Sequence, residues 1–227
     1  MQLYLIRHAE SENNAKPPYK RVEDPGLTAI GRLQAQHLAR WINTLTVDAL
    51  ICSPFRRTLQ TTQHLIAPAV GLSSLPPLQV WHDVFERGGC FRGHGPDATQ
   101  GGQGFCRTEI IRAMSQTGVE LKIDDTIGDV GWWNEKPRET DDEAIERARR
   151  LHQRIRSIYG ETENSVVIIT HADFKAILLK ELLRGVLDTD RLGLLRNTGI
   201  TKLQFADNQW RLEWLNSVSH LPAALIK

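Results

Sequence analysis

Cysteine is scarce in this sequence. The 227 residues include three cysteines, Cys52, Cys90 and Cys106, and no two of them form a CxxC pair. An odd number without paired spacing argues against a disulfide framework, and reduced thiols fit a cytoplasmic protein. Cys90, His94 and Cys106 together match the spacing of no common zinc site, so we expect neither a metal nor another cofactor.

Long apolar runs and an excess of charge of one sign are also lacking. No apolar run approaches the roughly 18 residues that cross a bilayer, so we expect no membrane partner. The first residues already resemble a strand, with Arg7 and Glu10 close behind, and this layout differs from a signal peptide and again favours the cytoplasm. The 28 Lys+Arg nearly balance the 27 Asp+Glu, for a formal net charge of +1, so the composition gives no case for a nucleic-acid partner. The composition does not indicate an oligomeric state.

Strand and helix signals alternate along most of the chain, a pattern typical of α/β proteins. We predict one domain over 1–227 with a three-layer α/β/α fold: a mostly parallel central sheet, an antiparallel edge hairpin and an inserted cap region. The predicted strands are 3–6, 48–52, 165–170, 199–205 and 209–215, and a short extended piece is predicted at 78–81. The predicted helices are 28–43, 55–66 (closed by Pro68 and Gly71), 140–160 and 174–183.

Residues 88–139 break this alternation. They are rich in glycine and contain a possible helix at 105–116, followed by the pair Trp132-Trp133. We predict that this segment folds over the strand ends as a cap. The two tryptophans either line a substrate pocket or anchor the cap on the core.

Arginine and histidine follow three of the predicted strands. Arg7 and His8 end the first strand, Arg57 lies just beyond the second, and His171 directly follows strand 165–170. Guanidinium groups make paired, charge-assisted bonds to phosphate oxygens, so this edge of the sheet is expected to bind phosphate. Arg56 is the competitor of Arg57, but the spacing from Ser53 favours Arg57.

A phosphomonoester also needs a nucleophile and a proton donor. His8 is the candidate nucleophile, because two nearby arginines would lower its pKa and leave one ring nitrogen unprotonated. Glu86, at the end of another extended segment, could protonate the leaving oxygen and then deprotonate a water. Whether the surroundings raise or lower the pKa of Glu86 is left open by the sequence.

These residues belong to a longer ordered set that resembles the histidine phosphatase superfamily, the phosphoglycerate mutase-like fold. The resemblance covers roughly 1–86 and 140–221. The set comprises Arg7-His8-Ala9-Glu10-Ser11 with Asn14, Leu27-Thr28 with Gly31 and Gln34-Ala35, Ser53-Pro54 with Arg57 and Thr61, Glu86, Thr170-His171, Asn197-Thr198-Gly199, and Asn216 with His220-Leu221.

The resemblance implies a role for each matched position. His8 would be phosphorylated, Glu86 would be the proton donor, and Arg7, Arg57 and His171 would form the phosphate pocket. Asn14 and the backbone N–H of Ala172 would add hydrogen bonds to the phosphoryl group, although Asn13 is an adjacent alternative to Asn14. Arg87 is a further substrate-binding candidate, and Arg92, Arg107 and Arg138 are weaker ones.

Two positions depart from the family pattern. Ala9 stands where glycine is usual, and Ala172-Asp173 replaces a glycine pair. An alanine there would be strained if its φ were positive. The charge of Asp173 is expected to disfavour strongly anionic substrates.

The function predicted from these residues is a metal-independent phosphomonoester hydrolase that acts through phospho-His8 on a small phosphorylated metabolite. One alternative is a cofactor-dependent phosphoglycerate mutase, but the cap lacks the paired arginines and the tyrosine and proline run of mutases. A second alternative is a non-catalytic phosphate-binding or scaffold protein of the same fold, which the presence of both His8 and Glu86 disfavours.

Overall fold

A computed structural model describes residues 1–66, 76–92, 100–188 and 191–227. Seven strands form one sheet in the order β4-β3-β2-β5-β1-β6-β7. All neighbouring strands from β4 to β1 are parallel, and β6 and β7 complete the sheet in antiparallel pairing. The strands are β1 (Gln2–Arg7), β2 (Ala49–Cys52), β3 (Leu78–Val80), β4 (Leu121–Ile123), β5 (Ser165–Thr170), β6 (Ile200–Ala206) and β7 (Gln209–Ser217).

Helices cover both faces of the sheet, which confirms the predicted three-layer α/β/α fold. The helices are α1 (Glu12–Ala15), α2 (Ala29–Ile42), α3 (Arg56–Ile66), α4 (Arg107–Met114), α5 (Asp141–Tyr159) and α6 (Ala172–Leu182). On one face, α2, α3 and α4 bury apolar side chains against the sheet, and on the other α5 and α6 do so.

Strand β1 shows why the sheet holds its register. It pairs with β5 on one side and with β6 on the other, so that Leu5 lies opposite both Ile168 and Thr201. Successive side chains point to opposite faces: Leu3 and Leu5 pack on the α5–α6 side, while Tyr4 and Ile6 pack on the α2–α3 side. A shift by one residue would exchange these two sets, so burial on both faces fixes the pairing.

The helix starts follow the sequence signals. Thr28 caps α2 by accepting a hydrogen bond from the N–H of Gly31 at 2.9 Å, and α5 begins with the expected capping box of Thr140 and Glu143. A Cβ atom at position 31 would collide with the backbone carbonyl of Glu10. Glycine therefore lets α2 approach the loop that follows β1.

The structure differs from the predicted elements in three places, one of which is the short helix α1, Glu12–Ala15, which was not predicted. Strand β4 lies within 88–139, so part of the segment predicted as a cap extends the sheet at its edge. Three residues are too few to show a periodic pattern, and this strand was missed. Helix α6 begins at Ala172, two residues earlier than predicted, which brings its N-terminus to the edge where the site lies.

The tryptophan pair of segment 88–139 packs into the core. Trp132 and Trp133 are buried in the core and pack on Phe85, so they anchor their segment. Pro68, Gly71 and His94 lie outside the described residues. Within the described part of the chain, no helix is long and apolar enough to cross a membrane.

Candidate active site

The carboxyl ends of β1, β5 and β2 lie side by side and bring the predicted residues together. They open into a cavity of about 580 Å³ whose lining includes Arg7, His8, Asn14, Arg57, Glu86 and Ala172. His171 is fully buried and does not line the cavity. The resemblance implies a place for His171 in the phosphate pocket, and in the structure its ring contacts Arg57.

Arg57 holds both histidines through its guanidinium group. Its Nε donates to Nε2 of His8 at 3.1 Å, and its Nη2 lies 3.1 Å from Nδ1 of His171. The guanidinium plane packs on the ring of Phe55, 3.9 Å from the centroid. Arg57 is 7% exposed, whereas Arg56 faces solvent. The structure thus brings Arg57, and not Arg56, to the site.

The hydrogen bonds of His8 define its tautomer. Its Nδ1 lies 2.7 Å from the carbonyl oxygen of Ala9, which can only accept, so Nδ1 carries the proton. Nε2 is then unprotonated and accepts from Arg57. Burial, followed by the charges of Arg57 and Arg7, holds the pKa of His8 well below its ordinary value. The ring is therefore neutral, with a lone pair on Nε2, as a nucleophile requires.

His171 is neutral for similar reasons. Because the Arg57 nitrogen only donates, Nδ1 of His171 accepts, and its Nε2–H donates to Oγ of Ser53 at 2.8 Å. Burial and the charge of Arg57 keep its pKa well below the ordinary value. The ring lies edge to face with that of His8, with centroids 5.2 Å apart, so in this arrangement His171 orients Arg57 and packs beside His8.

Asp24 is a residue at the site that the sequence reasoning missed. Its carboxylate lies 3.9 Å from Nη1 of Arg57 and accepts the backbone N–H of Arg56 at the start of α3. Burial raises its pKa to about 7, against the opposing charge of Arg57. The only available signal was an acidic residue one step before Pro25, which is common in surface turns.

Glu86 also lines the cavity. Its Oε1 accepts the backbone N–H groups of Phe174 and Arg87, both at 2.9 Å. Desolvation, followed by the charge of Asp173, raises its pKa, although Arg57 opposes this rise. The question left open by the sequence is thus decided toward a raised pKa, which suits a proton donor.

A buried ion pair holds the loop that carries Glu86, and it too was missed. Arg147 of α5 contacts Glu139 at 2.7 Å and donates to the backbone carbonyls of Asp83 and Phe85. Its guanidinium also lies 3.5 Å from the centroid of Phe85. Arginine and glutamate usually lie at the protein surface, so the sequence gives no sign that Arg147 and Glu139 are buried together.

Asn14 and Asn13 have separate roles. Asn14 lines the cavity, and its Oδ1 accepts hydrogen bonds from the backbone N–H of Ser11 and from Nδ2 of Asn197. Asn197 also donates to the carbonyl of His8 at 3.0 Å, which ties the nucleophile loop to the loop before β6. Asn13 instead holds both backbone groups of Val22.

Arg7 lines the cavity and has one buried donor without a partner among the described residues. Its Nη1 donates to the carbonyl of Leu195 at 2.7 Å, but the buried Nε finds no acceptor among the described residues. Leaving a buried donor unpaired costs about 1–3 kcal/mol. The N-terminus of α6, at Ala172, lines the same cavity. An anion bound in the cavity would accept hydrogen bonds from the N-terminus of α6.

The family departures cause no backbone strain. Ala9, Ala172 and Asp173 all have a φ outside the positive region. Arg87 and Arg138 line the cavity, whereas Arg92 pairs with Glu23, and Arg107 donates to backbone carbonyls around Asp124. Among the described residues, no group of three His, Cys, Asp or Glu side chains is placed to hold a metal.

A neutral imidazole beside two guanidinium groups suits an anion that is both bound and attacked. Such a site at the carboxyl edge of a parallel sheet defines a class of α/β proteins with a histidine-centred phosphate site. The sequence model of the histidine phosphatase superfamily (branch 1) matches residues 3–95 and 119–218. The chain belongs to this superfamily.

The individual relatives that align over nearly the whole chain have low sequence identity to it. A Klebsiella pneumoniae (strain 342) protein named as a probable phosphoglycerate mutase, GpmB, is 24% identical over 238 residues, covering 98% of this chain and 96% of its own. The GpmB protein of Enterobacter sp. (strain 638) is 39% identical over 71 residues, 31% of this chain and 33% of that protein. The solved structure of an Entamoeba histolytica phosphoserine phosphatase mutant with phosphoserine is 22% identical, covers 97% of this chain and 99% of its own, and has a TM-score of 0.63. This likeness concerns the fold.

Proposed function

We propose that the protein is a metal-independent phosphomonoester hydrolase that acts through a phosphohistidine at His8 on a small phosphorylated metabolite. The observation that carries the proposal is the hydrogen bond from Arg57 to an unprotonated Nε2 of His8, at a cavity that is also lined by an acid of raised pKa, Glu86. This arrangement supports a role for Arg57 in binding, for His8 in nucleophilic attack and for Glu86 in protonation.

The reaction proceeds in two in-line transfers. In the first, the guanidinium of Arg57 transfers its hydrogen bond from Nε2 of His8 to the phosphate. Nε2 then attacks phosphorus and the bond to the ester oxygen breaks, while Glu86 gives its proton to that oxygen. Because Oε1 of Glu86 accepts two backbone N–H groups, Oε2 is the oxygen that carries the proton. In the second, the Glu86 carboxylate removes a proton from water, the water oxygen bonds to phosphorus, and the N–P bond breaks.

Charge-assisted contacts stabilise the phosphoryl group in both transfers. Arg7 and Arg57 supply guanidinium donors, Asn14 an amide, and Ala172 a backbone N–H at a helix start. His171 acts behind Arg57, and Arg87 binds the departing part of the substrate.

Hydrolysis is favoured over a mutase reaction. The cap lacks the paired arginines with the following tyrosine and proline run that the mutase reading requires. All three cysteines are free thiols, which supports a cytoplasmic location. The near-neutral charge supports a small-molecule partner rather than a nucleic acid.

Phosphate release from a panel of phosphometabolites and one alkyl phosphate, run beside an isomerisation assay with 3-phosphoglycerate, tests the proposal. We expect phosphate release by the native protein and none by His8→Ala, which should keep the native circular dichroism spectrum and Tm. Release by His8→Ala at a tenth of the native rate or more would contradict the mechanism. Isomerisation without net release would instead favour the mutase.

A further inference from the structure

The cavity is larger than the proposed reaction needs. Its volume of about 580 Å³ falls in the range of about 300–1,000 Å³ typical of pockets that enclose a whole small molecule. The phosphate-handling residues line only one part of it. The other lining residues include Arg21, Val22, Glu23, Phe91, Arg138 and Leu194, and we call the part of the wall that these six form the outer cavity.

The carboxylates at this wall are already paired. Glu23 contacts Arg92 at 2.9 Å, and Asp173, which also lines the cavity, lies 3.8 Å from Arg87. These pairs offset the negative charges, including the one expected to disfavour anionic substrates. Arg21, in contrast, forms no ion pair and no side-chain hydrogen bond with the part of the chain that the structure describes. The outer cavity therefore has surplus positive charge.

The backbone around Arg21 is fixed although its side chain is exposed. The N–H of Arg21 donates to the carbonyl of Pro18 at 3.1 Å. Asn13 then holds Val22 at both backbone groups, accepting its N–H at 2.9 Å and donating to its carbonyl at 2.6 Å. A cation on a pre-ordered loop loses less conformational entropy when it binds a ligand.

Apolar surface lies beside this charge. Val22, Phe91 and Leu194 line the cavity, and the guanidinium of Arg138 stacks on Phe91 at 4.6 Å from the ring centroid. An aliphatic chain or a ring can lie on this surface while a second charged group reaches Arg21.

We infer that the outer cavity is a specificity subsite for a second oxyanion, a carboxylate or a phosphate, on a leaving group with an apolar or ring portion, and that Arg21 is its principal cation. The inference rests on the proposed function and names the substrate class of the same site. Neither the sequence pattern nor the phosphate-handling residues require Arg21.

A matched pair of aryl phosphates tests this subsite. 4-(Carboxymethyl)phenyl phosphate and 4-(carbamoylmethyl)phenyl phosphate differ in one remote charge, and the methylene group keeps their leaving-group acidity similar. We expect kcat/KM to be about five- to tenfold higher for the carboxylate, the size of a charge-assisted contact near a surface. Arg21→Gln should abolish this preference by lowering kcat/KM for the carboxylate far more than for the amide. Arg40→Gln, which removes an exposed charge from α2, is the matched control and should keep it.

The outcomes separate the two proposals. Hydrolysis of both esters at equal kcat/KM, or a preference that survives Arg21→Gln, would overturn the subsite and leave the hydrolase intact. If Arg40→Gln loses the preference for the carboxylate to the same extent, the preference comes from the net charge of the protein, and the subsite is again overturned. If the native protein hydrolyses neither aryl phosphate and no ester of the metabolite panel, the proposed function is overturned and the subsite with it.

Discussion

Arg57 contacts both histidines of the site, and its removal should lower activity without disrupting the fold. Arg57→Ala removes the donors to His8 and His171 and a guanidinium that faces the cavity. One charge-assisted hydrogen bond contributes about 1.5–3 kcal/mol. At about 1.4 kcal/mol per factor of ten, kcat/KM should fall by about tenfold to a hundredfold.

The fold should tolerate this change. Asp24 loses its nearest cation, but its pKa is already about 7 because of burial, so near neutral pH the carboxyl takes up a proton and avoids a buried unpaired charge. It can still accept the N–H of Arg56 and cap α3. Tm should therefore change far less than activity.

Arg56→Ala is the matched control, because it removes the same side chain one residue earlier, where it faces solvent. Steady-state kcat/KM for an alkyl phosphate, measured with Tm for each variant, gives the comparison. A loss below about threefold for Arg57→Ala, or an equal loss for Arg56→Ala, would refute the role given to Arg57.

Three further predictions concern acidity, stability and metal. Asp173→Asn should move the alkaline limb of kcat/KM to lower pH, because Asp173 helps raise the pKa of Glu86 and activity falls as Glu86 loses its proton. Asp141→Asn is the control and should leave the limb in place. Equal shifts in the two variants would refute the effect of Asp173 on Glu86. Lys175 is wholly buried with a pKa lowered to about 7, so above pH 7 only the unfolded chain keeps its proton. Lys175→Met should stabilise the protein by a few kcal/mol at pH 7, less as pH rises toward 10, and denaturation showing a constant gain would contradict this. EDTA should leave phosphate release unchanged, and a loss restored by one divalent ion would contradict a metal-independent reaction.

Much of the fold could be predicted because its signals are local. The buried strands read as uninterrupted apolar runs, as in β5, and Thr140 with Glu143 marks the start of α5 within four residues. Arginine and histidine at the strand ends meet because parallel strands end at one edge. The turn of the edge hairpin is equally local, since Asp207 and Asn208 both adopt positive φ.

The supporting contacts could not be predicted in this way. Asp24 is separated by 33 residues from Arg57, and Arg147 crosses from α5 to a loop about sixty residues earlier. Such pairs depend on which surfaces the fold brings together, and each partner alone resembles a solvated charge. Arg21 was missed for the same reason, since its importance comes from the cavity that it lines.

The central claim is that His8 becomes covalently phosphorylated. Rapid quenching of the native protein with a substrate labelled in its phosphoryl group, followed by peptide mapping under alkaline conditions, tests it most directly. We expect up to one acid-labile phosphoryl group per chain on the peptide that contains His8, and none in His8→Ala. Phosphate release without labelled protein, or label on a different residue, would contradict the account.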